Sequence, residues 1–198
     1  MANDAQALLG AGQVELPDRG RGPGVLLLAG AETSADARTE ACRRLADNGF
    51  VAWSAELEDD PPALGEAVER LFRLDAVDGA RIGVLALGSG AGRALRAAES
   101  ARVGVALCLE PVAEPEALEP QKLGARVLLV CAERDPLTGS PELRALREAL
   151  EGAGARVELR VLPGVEPGFL DPVQADRFDA RAARLAWDAA LAALRAEL

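Results

Sequence analysis

Hydrophobic residues along this chain fall into short runs separated by stretches of mixed polarity. The runs are nearly free of polar residues, which is typical of strands covered on both faces of a parallel sheet. Five runs have this character: Val25–Ala29, Phe50–Ser54, the apolar half of Arg81–Arg93, Val103–Leu109 and Arg126–Ala132. Val157–Leu162, which also contains Glu158 and Arg160, is predicted as the sixth and last strand. The pattern therefore predicts a sheet of buried, parallel strands.

Helical spacing appears between most of these strands. Ser34 is the predicted N-cap of a helix that ends at Asn48-Gly49, and Ser140-Pro141-Glu142 is a strong start for a later helix. The final helix is predicted over Ala175–Leu198, with four large residues facing the core: Phe178, Leu185, Leu191 and Leu194.

This alternation of strands and helices indicates the fold class. Right-handed crossovers between parallel strands place helices on both faces of the sheet. We therefore predict a single α/β domain, a three-layer sandwich with a mostly parallel sheet of about six strands. The domain is expected over residues 22–198. Residues 1–21 are expected to form a loosely held lead-in that carries one edge strand, Val14–Pro17.

The net charge of the chain limits the kinds of partner that it is expected to bind. Its 22 basic and 32 acidic residues give a net charge of −10. Such a charge repels a phosphate backbone and an anionic membrane surface, so we expect no binding to nucleic acid and none to a membrane. The partner is expected to be a protein or a small ligand, and the formation of a homo-oligomer stays open.

Cysteine use and hydropathy indicate the compartment. The chain has three cysteines without zinc-type pairing, which favours a reducing environment. Cys108 and Cys131 lie in apolar runs, where we expect buried thiols. No apolar run is long enough to span a membrane, and Met1–Gln6 lacks the basic residues of a signal peptide. We therefore expect a cytoplasmic protein.

The absence of histidine limits the chemistry most. Imidazole is the usual proton carrier near neutral pH, and the sequence contains none. This excludes Ser-His-Asp, Cys-His and His-ligated metal mechanisms within the chain. The acidic loop Glu58–Asp60 could bind a divalent metal, but capping of the following helix is the better interpretation. We expect no metal and no cofactor.

The stretch Arg81–Arg93 combines a buried strand, a sharp turn and a small-residue helix. In α/β enzymes such a turn holds a nucleophile above the strand ends. Here the apex is glycine, within Gly88-Ser89-Gly90. The turn lacks the lysine of a phosphate-binding loop, and it does not follow the first strand, as a dinucleotide-binding turn would.

Two further loops are expected at the same edge of the sheet, because the carboxyl ends of parallel strands lie together. Glu133-Arg134-Asp135-Pro136 supplies a candidate acid, Asp135. Glu166-Pro167-Gly168-Phe169 follows the last strand, where a hydrolase of this topology carries its base.

Separate blocks of the sequence, in the right order, resemble the dienelactone hydrolase family of α/β-hydrolases. The blocks are Gly22–Leu28, Asn48–Ala52, Asp78–Val84, Glu133–Pro136, Leu162–Pro172 and Asp176–Trp187. The resemblance implies an α/β-hydrolase-like fold and hydrolysis of esters or lactones by a nucleophile, an acid and a histidine.

Transferred to this sequence, the family pattern puts the nucleophile at Gly88 and the histidine at Pro167, so neither side chain is present. The acid is retained at Asp135. The resemblance also implies an oxyanion hole formed by the backbone amides of Ser89 and Ala31.

Three functions stay open. The first is a catalytically inactive member of the family that binds a protein or a small ligand, with Ala31, Ser89, Asp135 and Glu166 as candidate binding residues. The second is a hydrolase with a rearranged site, in which Ser89 is the nucleophile and Asp135 or Glu166 handles the proton. Lys122 lies in a connection and not beside the turn, so a Ser-Lys pair is not expected. The third is a structural, oligomer-forming scaffold.

Overall fold

The computed structural model describes residues 2–56, 61–112 and 123–198. Among these residues, seven strands form one sheet in the order β1-β3-β2-β4-β5-β6-β7. The strands are β1 Gly12–Glu15, β2 Gly24–Ala29, β3 Val51–Ala55, β4 Ile82–Leu87, β5 Val103–Leu109, β6 Arg126–Ala132 and β7 Arg156–Leu162. Every pair is parallel except β1 with β3. The prediction of a single, mostly parallel α/β sheet is confirmed.

Helices cover both faces of this sheet. They are α1 Ala2–Leu9, α2 Ala35–Asp47, α3 Pro61–Phe72, α4 Ala91–Ala97, α5 Pro141–Gly152 and α6 Ala180–Glu197. Buried residues of α1, α3, α4 and α5 belong to one core. Those of α2 and α6 belong to the other.

The central strand β4 shows why its sequence is apolar throughout. Successive side chains of a strand point to opposite faces of the sheet. Val84 and Ala86 are buried in the core under α3 and α4, whereas Leu85 and Leu87 are buried in the core under α6. Because both faces are covered, neither set can be polar.

The N-terminal segment differs from the expected loose lead-in. It contains the helix α1, whose Ala5 and Leu9 are buried in the core. Its edge strand is Gly12–Glu15, two residues earlier than the predicted start at Val14, and it pairs antiparallel with β3. The sequence signal was weak because this helix has only eight residues.

The last helix begins at Ala180 and not at Ala175. Asp179 caps it, since its Oδ1 accepts hydrogen bonds from the amides of Arg181 and Ala182, both at 2.9 Å. The prediction that Phe178 and Leu185 face the core was wrong: their exposed fractions are 37% and 43%. Phe178 precedes the helix, so the helical spacing does not apply to it.

Several predicted features fall outside the described residues. They are the acidic loop Glu58–Asp60, most of the connection after β5, and Lys122. Within the described ranges, no helix combines the length and the apolar character that crossing a membrane requires. The three cysteines, Cys42, Cys108 and Cys131, are buried free thiols.

Candidate functional site

The site begins at the turn between β4 and α4. Gly88 has a φ of +58°, a backbone conformation that residues with side chains rarely adopt. A single turn of 3-10 helix, Gly88–Gly90, then leads into α4. A Cβ at Gly90 would overlap the carbonyl oxygen of Leu28 on β2. Glycine at this position therefore allows the start of the helix to lie directly against the neighbouring strand.

The space above Gly88 is occupied by the carboxylate of Glu32, from the loop after β2. The amide of Ser89 donates a hydrogen bond to Glu32 Oε1 at 2.6 Å, and the Ser89 hydroxyl donates to Glu32 Oε2 at 2.7 Å. A Cβ at Gly88 would overlap Glu32 Oε1. The Glu32 carboxylate thus lies where a side chain at the apex of the turn would project.

Glu32 is held as an anion. Burial raises the pKa of its carboxyl, but hydrogen bonds from the Ser89 and Glu32 amides, the Ser89 hydroxyl and the charge of Arg93 outweigh burial, so the pKa is lowered. Arg93 is itself fixed, since its Nη2 donates to the Ala29 carbonyl at 2.5 Å. A carboxylate with a lowered pKa is a weak proton acceptor towards a serine hydroxyl.

We expect Glu32→Gln to reduce the free energy of unfolding at pH 7 by less than about 1 kcal/mol, because the site is largely exposed. A lowered pKa in the folded state stabilises the protein above the ordinary pKa of 4.5 and loses this effect as the pH falls through the lowered value. Urea unfolding at pH 7 and at about pH 3 measures the difference, with the exposed Glu148→Gln as control. A difference that is independent of pH would contradict the role of charge.

A cleft of about 1090 Å³ opens beside the turn and extends between α2 and α6. It is lined by Gly88, Asp135 and Pro167, the three positions at which the resemblance places the nucleophile, the acid and the histidine. Its walls include the apolar side chains Leu87, Leu170, Phe178, Trp187 and Leu191. The cleft has the size and the largely apolar lining typical of small-molecule sites.

Only one of the four candidate binding residues lines this cleft, as far as the described residues define it. Asp135 lines it, and its Oδ1 accepts a hydrogen bond from the Leu137 amide at 2.8 Å. Ala31, Ser89 and Glu166 lie outside the lining, as far as the described residues define it. Glu166 pairs instead with Arg134 at 2.8 Å, and both side chains are exposed.

Glu110 is a site residue that the sequence analysis missed. Its carboxylate accepts hydrogen bonds from three consecutive amides, those of Gly168, Phe169 and Leu170. Burial raises the pKa of Glu110; the three amides oppose this effect and the negative charge of Asp135 adds to it. An acidic residue directly after a fully apolar strand was the available signal. Glu32 was missed as well, although it lies in a loop at the carboxyl end of a strand.

Metal binding has no support in the described part of the chain, where no group of three or more His, Cys, Asp or Glu side chains could hold an ion. The cysteines are also poor nucleophiles. Burial raises the pKa of Cys42 and of Cys108 to about 12 and that of Cys131 to about 11. Thiols of this kind are almost entirely protonated at neutral pH.

Comparison with known proteins identifies the relatives of this chain. A protein of Aquifex aeolicus (strain VF5) named as a carboxymethylenebutenolidase is 23% identical over 199 residues, covering 86% of each chain. The crystal structure of P91, a dienelactone hydrolase-like promiscuous phosphotriesterase from metagenomic libraries, matches with a TM-score of 0.78 at 20% identity. That match covers 95% of this chain and 88% of P91.

Dienelactone hydrolase from Anabaena variabilis matches with a TM-score of 0.68 at 18% identity, over 93% of this chain and 90% of that one. At these identities the structural matches show a shared fold. The model of the dienelactone hydrolase family matches residues 61–198, more than two thirds of the sequence. The chain belongs to the dienelactone hydrolase family.

Proposed function

We propose that this protein binds a small molecule in its cleft and does not hydrolyse esters or lactones. The observation that carries the proposal is the position of Glu32. Its carboxylate lies where a nucleophile on residue 88 would project, and it accepts a hydrogen bond from the Ser89 amide. This amide is the donor expected to stabilise the oxyanion of an ester intermediate. The negative charge of the Glu32 carboxylate at this amide would repel the oxyanion of an ester intermediate.

The side chains available for covalent catalysis support the same proposal. Gly88 has no side chain, and the sequence contains no histidine to act as base. The three cysteines are buried with raised pKa values. A serine hydroxyl is a weak nucleophile at its own pKa and needs an adjacent base.

Ser89 is the nucleophile of the alternative, rearranged hydrolase. Its exposed hydroxyl lies 2.7 Å from Glu32 Oε2, which is within the distance that proton transfer requires. However, the lowered pKa of Glu32 makes it a weak base. Glu166 is paired with Arg134, and Asp135 Oδ1 already accepts the Leu137 amide. The geometry therefore favours ligand binding over hydrolysis by Ser89.

The cleft favours a small ligand over a protein partner. It is a concave site with aromatic and aliphatic walls, and Asp135 and Glu110 lie among its polar groups. A flat surface is more usual for a protein partner, whereas small ligands bind in clefts of this volume. A scaffold role would not account for a cleft of this size and lining.

Two assays test the proposal. Turnover of p-nitrophenyl acetate and of a dienelactone should equal that of Ser89→Ala, and a fluorophosphonate probe should not label Ser89. Hydrolysis that is lost in Ser89→Ala would contradict the absence of catalysis.

Binding is tested separately, with a fragment library screened by amide chemical shifts. Ala180 lines the cleft and is exposed, so Ala180→Trp should fill part of it and abolish fragment binding. Ala192, exposed on the same helix and outside the lining, provides the matched control Ala192→Trp. Equal loss in both variants, or no fragment shifts at the cleft, would contradict the binding role.

A further inference from the structure

Glu110 connects two strand-end loops that lie far apart in sequence. It directly follows β5, and its amide donates to the Val130 carbonyl of β6 at 2.9 Å, which continues the sheet pairing. Among the described residues it is the one non-glycine residue with a positive φ, +52°. Residues with side chains rarely adopt this conformation unless their surroundings fix it.

The carboxylate of Glu110 matches the donors that it meets. Oε1 accepts from the Gly168 amide at 2.5 Å and from the Phe169 amide at 3.0 Å, and Oε2 accepts from the Leu170 amide at 3.2 Å. The three amides are divided between two acceptor oxygens, two on Oε1 and one on Oε2. A carboxylate provides them, whereas a carboxamide provides one oxygen and a competing donor.

The loop held in this way forms part of the cleft. Pro167, Gly168 and Leu170 line the cleft, whereas Phe169 is fully buried in the core beneath α2 and α6. The loop is therefore fixed from two sides, by the aromatic ring in the core and by the carboxylate at its amides.

We propose that Glu110 is a positioning residue of the cleft, whose carboxylate fixes Gly168–Leu170 and with them the wall that faces Gly88. The inference rests on the proposed function only in treating the cleft as the ligand site. The hydrogen bonds and their titration are independent of whether a ligand binds.

The charges around Glu110 determine when the carboxylate is present. Asp135, from the loop after β6, is the charged group that acts on it most directly, and the Cys131 thiol lies within its electrostatic reach. Glu32, Asp171 and Arg177 line the same cleft from the other loops. Burial raises the pKa of Glu110 above its ordinary 4.5, and the charge of Asp135 raises it further.

Protonation should change the wall, because a protonated carboxyl gives up one acceptor and gains a donor. The folded state holds this proton more tightly than the unfolded chain does. The contribution of Glu110 to the free energy of unfolding should therefore fall as the pH rises from 4.5 through the raised pKa.

The test is a pH titration of the amide signals of Gly168, Phe169 and Leu170 in the full chain. We expect the three signals to shift along one curve with a shared midpoint above 4.5. Glu110→Gln should abolish that curve, and Asp135→Asn should keep it with a lower midpoint. Glu148→Gln, at an exposed acid of α5 outside the cleft, is the control and should leave it unchanged.

Independent midpoints for the three amides, or an unchanged curve in Glu110→Gln, would overturn the inference. Hydrogen exchange adds a second readout. Glu110→Gln should expose the Leu170 amide while Gly168 and Phe169 keep their acceptor oxygen, and equal protection of all three amides would also overturn it. Fragments that bind the wild-type cleft should bind Glu110→Gln about tenfold more weakly.

The two proposals fail in different ways. A wild-type cleft that binds no fragment contradicts the proposed function, whereas the shared titration supports the role of Glu110 even then. Fragments that bind equally well to wild type and to Glu110→Gln contradict the positioning role and leave the binding function supported.

Discussion

Ester hydrolysis should appear when Gly88→Ser and Pro167→His are combined with Glu32→Ala. Residues 88, 135 and 167 line one cleft, so the new serine and histidine would join the retained Asp135. Removing the Glu32 carboxylate frees both the space above residue 88 and the Ser89 amide. A positioned general base contributes about 10²- to 10⁴-fold. We therefore expect p-nitrophenyl acetate turnover at least about 100-fold above that of Gly88→Ser with Glu32→Ala alone.

Adding Asp135→Asn to the triple variant provides the control, since it removes the group that orients the histidine. That variant should lose most of the gained activity. Circular dichroism establishes that each variant is folded, because serine at a positive φ costs about 1–3 kcal/mol. A folded but inert triple variant would show that restoring these side chains is not sufficient for ester hydrolysis.

Gly90→Ala should destabilise the protein by about 3 kcal/mol or more, which is large for the addition of one methyl group. The new Cβ would overlap the Leu28 carbonyl, and it would lie 3.3 Å from the Ala29 carbonyl carbon. These are backbone atoms of the neighbouring buried strand β2, so no side-chain rotation can relieve the overlap. Urea unfolding should show a lower midpoint with an unchanged slope.

Gly92→Ala is the matched control, two residues further along. Its Cβ would meet only the Arg96 guanidinium, at 3.9 Å, and the residue lies within α4. Alanine is favoured over glycine in a helix by about 1 kcal/mol, so this variant should be as stable as the wild type or slightly more stable. Similar losses in both variants would contradict a specific contact between the turn and β2.

The strands and several helix boundaries could be predicted from the sequence because their signals are local. Strands covered on both faces must be apolar, and β4, β5 and the part of β6 after Arg126 follow this rule. The caps Ser34 and Ser140 were also predictable, since each side chain accepts a hydrogen bond from an amide three residues later. The start of α6 was not predicted, because the apolar spacing includes Phe178, which lies before the true N-cap at Asp179.

The convergence of Gly88, Asp135 and Pro167 follows from topology, since the carboxyl ends of parallel strands share one edge of the sheet. The side-chain contacts between the loops at this edge do not follow from the topology. Glu32 and Ser89 are 57 residues apart, and Glu110 and Gly168 are 58 apart. Which side chain turns towards which amide depends on the conformation of each loop. Nothing in the local sequence of Glu32 distinguishes it from an acid that makes no such contacts.

The three native thiols should react little with thiol-specific labels, because they are buried. With pKa values of about 11 to 12, they are attacked by maleimides far more slowly than an exposed cysteine is. A single cysteine introduced at Ala180, on the rim of the cleft, could therefore carry a fluorophore or a spin label without first removing the native thiols. Occupancy of the cleft then becomes an optical or magnetic signal, which allows a ligand to be sought through binding alone.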